Sequence, residues 1–338
     1  MFRLAFTIIL ILPVFFIARP AYADAPSVRN IAAYRQAAEA GNADAQYSLG
    51  VMYQFGMGIK QNLPAALQWY RKAAEPNDAR SQYALGLMYY TGSGIKQDVA
   101  EAVKFYNLAA EQGHAEAQRS LGIVFANGAE FIEQDDHAAL EWFTKAAEQG
   151  DKEAQYRLGI LYKVTKSGFR SARKAVEWFT KAAEQQHIQA IYTLGKCYET
   201  GYGVSQDNGK AAQLYEQAAA MGDVYARFAL SQIYYNTLGY EMAGVPLLIQ
   251  AAKQGLIEAE YILSKTYFEG VLIKQDHAEA LYWMDQSFMH PFSDQKFITK
   301  VNPLHLQILD TISKQDYRRF QMLSFYREDV APFTEKRE

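Results

Sequence analysis

Apolar positions in this chain follow helical spacing in short stretches. Ala45, Leu49, Met52 and Tyr53 fall on one side of a helix predicted over 42–54, and Tyr47, Ser48, Val51 and Gln54 fall on the other. Gly56-Met57-Gly58 breaks the pattern, because glycine tolerates the positive φ at which a helix ends. Ile59 then turns back toward the core. Asn62 has the chemistry of an N-cap, and Pro64 suits the first turn of a second helix. Ala65, Ala66, Trp69, Tyr70, Ala73 and Ala74 form that helix's stripe, and Glu75-Pro76-Asn77 makes a turn at its end.

The same phrase then returns. Leu49-Gly50 with Tyr53 is succeeded by Leu85-Gly86 with Tyr89, Leu121-Gly122 with Phe125, Leu158-Gly159 with Tyr162 and Leu194-Gly195 with Tyr198. It degrades to Leu230-Ser231 with Tyr234 and Leu263-Ser264 with Tyr267, the leucines being 36, 36, 37, 36, 36 and 33 residues apart. A period in the range of about 20–50 residues marks a solenoid, in which each unit buries its apolar face against its neighbours. Gly92-Ser93-Gly94-Ile95 and Gly201-Tyr202-Gly203-Val204 repeat the first loop. Asp98 with Glu101, and Asp276 with Glu279, have the spacing of acidic capping boxes. Trp142, Trp178 and Trp283 recur in the aromatic slot of the second helix, and Gly113, Gly150, Gly222 and Gly255 end second helices.

Ala43-Asp44-Ala45-Gln46-Tyr47-Ser48-Leu49-Gly50, and Trp142-Phe143-Thr144-Lys145-Ala146-Ala147-Glu148-Gln149-Gly150, resemble the Sel-one-like repeat (SLR) family, a branch of the tetratricopeptide-like solenoids. A period near 36 favours that branch over the tetratricopeptide repeat proper, whose period is about 34. The resemblance implies an all-α, right-handed α/α superhelical solenoid of seven repeats over 39–287. Unit four departs in its loop at Ser167-Gly168-Phe169-Arg170, and unit six shortens its loop at Leu238-Gly239-Tyr240-Glu241-Met242.

The ends differ in composition. Arg3, the apolar run Leu4–Ile17 and Ala21-Tyr22-Ala23 have the layout of a secretory signal peptide over 1–23, cleaved after Ala23 and too short to span a membrane comfortably. Residues 24–38 contain a second helix without its first, read as an N-terminal cap. Residues 288–338 are read as C-terminal capping helices, one starting at Asn302-Pro303 and one at Ser313 with Asp316, with a frayed tail at 334–338.

Without residues 1–23 the chain carries 32 basic and 37 acidic residues and no basic run, which argues against a nucleic-acid partner. A membrane-surface role would need a basic amphipathic helix, and none is seen. The single cysteine, Cys197, stands where other units place Met52, Met88, Val124 or Leu161, so it is read as a buried small hydrophobe. Ser93-Gly94-Ile95-Lys96 and Ser171-Ala172-Arg173-Lys174 fit S-x-x-K, but S-D-N and K-T-G do not occur. The Gly-x-Gly loops lack the preceding strand of a phosphate loop. His114 and His187 share a turn position, His137 and His277 a helix start, and His290 and His305 lie in the tail. No pair has metal-ligand spacing. No catalytic residue, metal or cofactor is expected.

The resemblance implies that first helices line the concave surface. There, three rows of side chains could pack between helices or form a groove for a peptide or partner helix. The positions that depart from their rows or offer aromatic anchors are Tyr90, Arg119, Lys163, Lys196, Glu199, Tyr235 and Phe268. The expectation is a monomeric, non-enzymatic, exported scaffold, periplasmic or secreted, that binds a protein or peptide through this face. The alternatives are an enzyme acting on β-lactams or peptidoglycan, like some cysteine-rich relatives, and a secreted host-interaction factor.

Overall fold

Short polar side chains start the helices of this chain, and left-handed glycines end many of them. The computed structural model describes residues 31–129, 132–164, 168, 170–237, 241–290 and 295–328. In the first repeat, Asn42 accepts from the Ala45 amide at 2.9 Å and Asn62 from the Ala65 amide at 3.0 Å. They open α2 (Ala43–Phe55) and α3 (Leu63–Ala74), which come after α1 (Ile31–Glu39). Gly56, at φ 69°, closes α2 by donating its amide to the Met52 carbonyl. The pattern continues through α4 (Ala79–Thr91), α5 (Val99–Glu111), α6 (Ala115–Asn127), α7 (Asp136–Glu148), α8 (Lys152–Val164) and α9 (Ala172–Glu184). After these come α10 (Ile188–Thr200), α11 (Asn208–Ala220), α12 (Val224–Tyr235), α13 (Glu241–Lys253), α14 (Ile257–Glu269) and α15 (His277–Met289). The last two are α16 (Gln295–Thr311) and α17 (Lys314–Glu328). Among the described residues every regular element is helical, apart from one isolated bridge between Ala129 and Ile132. The all-α helix-hairpin repeat expected from the sequence is the fold observed.

Two compact units divide between Trp178 and Phe179. In the first, three hairpins lock by a close approach of glycine to an aromatic ring, at Gly50, Gly86 and Gly122. A Cβ built on Gly86 would come within 2.6 Å of the Tyr106 ring, and one on Gly122 within 2.5 Å of Phe143. Only glycine leaves room for these rings, and Tyr106 and Phe143 are both 2% exposed. α1 covers the open end of α2, where Ala38 packs with Ala45, Leu49, Met52 and Trp69.

In the second unit Gly195 meets Tyr215 in the same way, at 2.6 Å. The next hairpin inverts the lock. Ser231 stands in the first helix, and the glycine is Gly244 in the second, where a Cβ would meet the Ser231 carbonyl at 2.7 Å. In the last hairpin the Ser264 hydroxyl donates to the Ala280 carbonyl at 2.6 Å. α16 then packs Val301 and Ile308, both 0% exposed, over Leu281 and Met284.

Pro303 does not begin a helix; it lies inside α16. Phe297, Val301, Leu304 and Ile308 keep one helical face against α15, and their burial outweighs the cost of about 3 kcal/mol for an interior proline. The capping box at Asp98 is half-formed, and Asp276 accepts from the Glu279 amide at 3.1 Å. Asp98 accepts from the Glu101 amide at 3.0 Å, but the Glu101 carboxylate turns to Lys104 at 2.7 Å. Ser313 does cap α17, accepting from the Asp316 amide at 3.1 Å. The signal peptide read at 1–23, parts of the unit-four and unit-six loops, and the tail at 334–338 lie outside the described residues.

Candidate interaction surfaces

The sequence-derived candidates fall in both units, and the structure gives them different work. In the first unit, Arg119 of α6 pairs with Asp151 at 3.1 Å. Asp151 caps α8 through the Ala154 amide at 2.8 Å, so Arg119 ties one hairpin to the start of the next. The candidate Arg119 thus has an internal ion-pair partner. Tyr90 is half-buried, its ring 6.4 Å from that of Tyr106. Lys163 is half-buried near the end of α8. Sequence spacing alone could not show that Asp151, 32 residues away, answers Arg119.

In the second unit, Glu199 of α10 accepts a hydrogen bond from the Tyr215 hydroxyl at 2.7 Å. Gln54 plays the same part for Tyr70 at 2.7 Å in the first repeat. Glu199 is therefore an acceptor for a core tyrosine, and burial with this bond pushes the Tyr215 hydroxyl well up from its ordinary value. Phe268 is half-buried against the cluster of Leu281, Met284, Val301 and Ile308, with its ring 5.6 Å from His277. Tyr235 is 37% exposed at the end of α12.

Lys196 is different. It is exposed on α10, with Nζ 6.0 Å from the Tyr192 ring. On the same ring, at 6.2 Å, leans Tyr225 of α12, which is 55% exposed. Burial, with Asp223 and Glu199 adding, pushes the Tyr192 hydroxyl up to about 12. The three form an aromatic patch with a cation at its edge. Sequence reasoning missed Tyr225. Its signal was in the register: the same place holds Asp44, Arg80, Glu116, Glu153, Gln189 and Glu258, all polar, so one tyrosine stands out.

The residues with candidate chemistry have local duties. The Ser93 hydroxyl lies 2.8 Å from that of Thr91, and Ser171 accepts from the Lys174 amide at 3.3 Å as the cap of α9. His114 and His187 are N-caps, their Nδ1 atoms accepting from the Ala117 amide at 3.4 Å and the Ala190 amide at 3.2 Å. Burial holds His114 below the usual imidazole range, which suits an acceptor nitrogen. Cys197 is buried at 1% exposure in the slot predicted for it. Among the described residues, no three His, Cys, Asp or Glu side chains converge as metal ligands would. No helix there is long and apolar enough to cross a membrane.

These features define a tandem helix-hairpin protein. The chain belongs to the Sel1 repeat family, whose pattern matches residues 43–78, 79–114, 115–151, 152–187, 188–223 and 257–289. The hairpin of α12 and α13 falls between the last two matches, yet it folds as a repeat. A solved structure of a protective antigen of uropathogenic Escherichia coli with an SLR fold is 31% identical, with a TM-score of 0.77. That alignment covers 90% of this chain and 65% of the antigen's, so this chain spans less than two thirds of that relative. A Sel1 repeat protein from Oxalobacter formigenes is 28% identical, with a TM-score of 0.64 over 81% of this chain and 79% of that one. No curated protein matches the chain. Sel1 repeat proteins generally mediate protein–protein interaction and are typically non-enzymatic scaffolds.

Proposed function

We propose that this protein is a non-enzymatic, exported scaffold that binds a protein or peptide through the face lined by its first helices, with the Tyr192, Lys196 and Tyr225 patch as the main contact. The observation that carries this is Tyr225: 55% exposed, packed on Tyr192, at a register position that is polar in the other repeats. A rigid, half-supported tyrosine beside a cation suits an anchoring contact, because it loses little side-chain freedom on binding. Tyr235, 37% exposed, would add a contact within the same unit, whereas Arg119 and Glu199 serve internal bonds to Asp151 and Tyr215. Residues 1–23 would direct export, with cleavage after Ala23, which the mass of the mature protein would test.

The binding test is photo-crosslinking from position 225, then affinity measurement on the captured partner. Tyr225→Ala should weaken binding by about 1 kcal/mol or more, roughly fivefold or more, without lowering the melting temperature. Lys196→Glu should act in the same direction. Lys145→Glu, on the second helix α7, should do nothing. If the Lys145 change abolishes capture and the patch variants do not, the face has been assigned wrongly.

A second reading, a host-contacting factor, draws on the likeness to the protective antigen of uropathogenic Escherichia coli. Fractionating culture supernatant against periplasm separates it from a periplasmic scaffold.

A further inference from the structure

Glu260 stands where the repeat calls for a hydrogen-bond donor. At its register position Gln46, Gln118 and Gln155 each donate a side-chain amide to the carbonyl eight residues earlier: to Ala38 at 3.0 Å, Ala110 at 3.0 Å and Ala147 at 3.1 Å. Arg227 makes the same rung one hairpin before, its guanidinium donating to the Ala219 carbonyl at 3.1 Å. That register sets Glu260 of α14 opposite the carbonyl of Ala252 in α13. A carboxylate has no proton to give. Glu260 is nonetheless 5% exposed, and its Oε2 is buried without a hydrogen-bond partner. A buried ion facing another acceptor is an arrangement that desolvation penalises heavily.

Several charged groups on neighbouring elements have partners of their own. On α12, Arg227 serves the Ala219 carbonyl and Gln254. On α13, Lys253 is exposed and Glu241 lies in the first turn. On α14 itself Glu258 carries like charge, and Lys265 pairs with Glu269 at 3.5 Å. On α15, Asp276 pairs with Arg319 of α17 at 2.7 Å, Asp285 lies 3.4 Å from His305 of α16, and Glu279 lies in the first turn. Lys300 of α16 sits over Tyr261 at 5.7 Å. His290, at the end of α15, takes the register place of Gln149, and its Nε2 lies near Gly255.

We propose that Glu260 is a proton-operated latch between α13 and α14: protonated, it donates to the Ala252 carbonyl and closes the rung that glutamine closes elsewhere, and ionised, it leaves two acceptors opposed and the junction loosened. The proton comes from solvent and returns to it. Burial, with the Glu258 charge adding, pushes the Glu260 carboxyl up to about 7. For an acid held above its unfolded value, the native state binds the extra proton. Stability is therefore fullest below the unfolded value and falls as pH rises through the folded one. The opening is local, in the sense that amide exchange reports.

The test uses the full chain with ¹³C-labelled glutamate side chains and amide exchange over 257–263. Wild type should show a Glu260 carboxyl titrating near neutral pH, and protection of this segment should fall about tenfold between pH 5.5 and pH 8 after correction for intrinsic rates. Glu260→Gln, which restores the common rung, should hold the high protection across that range. A Glu260 midpoint near that of an exposed glutamate would overturn the latch, whether or not the variant folds. Parallel pH profiles for wild type and Glu260→Gln would also overturn it. So would loss of the pH response in His290→Gln with its retention in Glu260→Gln.

Discussion

The two units use one repeat in different ways. In the first, the rung position is glutamine in every repeat, although Gln82 donates to Asn77 rather than to the carbonyl eight residues back and the Ser81 hydroxyl is buried without a partner. Glutamine fills the rung, and Gln112 and Gln149 donate in turn to Gln82 at 2.6 Å and Gln118 at 2.7 Å. Pro76 occupies that donor's place beside the first repeat, and the Gln46 Oε1 is left without a partner. In the second unit the rung residues are Ile191, Arg227 and Glu260, and their register partners are Met221, Gln254 and His290. An amide pair has become in turn apolar, cationic and acidic. The first two solutions work physically: Ile191 is buried at 0% exposure among apolar neighbours, and Arg227 satisfies a carbonyl. The comparison teaches that the repeat backbone, whose rung carbonyls already accept from an amide three residues on, tolerates an amide, an apolar or a cationic side chain at this place. The second unit is where the most exposed tyrosine of the repeats, Tyr225, and the unmatched acid both occur.

Removing residues 288–338 should be the most severe change, and confined to the second unit. It strips Val301 and Ile308 from Leu281 and Met284, so we expect aggregation or a melting transition lowered by several degrees for the second unit alone. Unchanged solubility and melting would show that α16 and α17 are not needed to cover that surface. A smaller effect should separate the units by the roles of their arginine and lysine. Arg119→Glu replaces an ion pair at the cap of α8 with like charges, on side chains 25% and 10% exposed, and should cost about 2 kcal/mol in denaturant unfolding. Lys196→Glu in the second unit should stay within about 0.5 kcal/mol. Equal losses would erase the distinction drawn between them.

The smallest effect concerns pH. The neutral His114 imidazole caps α6, and burial lowers its affinity for a proton below that of the unfolded chain, against the pull of Glu116 at 3.3 Å. Its contribution is therefore complete above about 6.5 and is lost as pH falls through the folded value. His114→Asn keeps an N-cap without the titration and should flatten the acid limb of the first unit by less than about 1 kcal/mol. The first unit would thus weaken in acid while the α13–α14 junction of the second tightens. Melting tracked in parallel at both units would sharpen the contrast or remove it.

Much of this was legible in the sequence, because helix, cap and loop are local events. Asn62, Gly56 and the Cys197 slot depend on residues within a few positions of themselves, or on register with sister repeats. The Arg119–Asp151 pair was hidden because it joins the first helix of one hairpin to the cap of the next, 32 residues on. Glu199 and Phe268 looked available because their row is polar or aromatic, yet Glu199 accepts from a core tyrosine and Phe268 is half-buried against a cluster that α15 and α16 share. Pro303 misled because proline's preference for a first turn is real but weaker than a continuous apolar face. The glutamine rung was printed in the repeated phrase itself, but its partner is a backbone carbonyl, which leaves no trace in side-chain pattern.

The inter-helix loops close on themselves over very short stretches. Gln61, Gln97, Gln206 and Gln275 each donate to the carbonyl seven residues back, at 2.7–2.8 Å, and the N-cap amides of Asn62, Asp98, Asp207 and Asp276 each reach the carbonyl nine residues back at 2.8–3.0 Å. Closing so small a ring costs little chain entropy and takes on the order of tens of nanoseconds. Each hairpin can therefore nucleate without waiting for distant segments, and the search for the native state reduces to many short, parallel closures and then the docking of neighbours. Such a chain should fold quickly for its length and should recover from local unfolding one hairpin at a time.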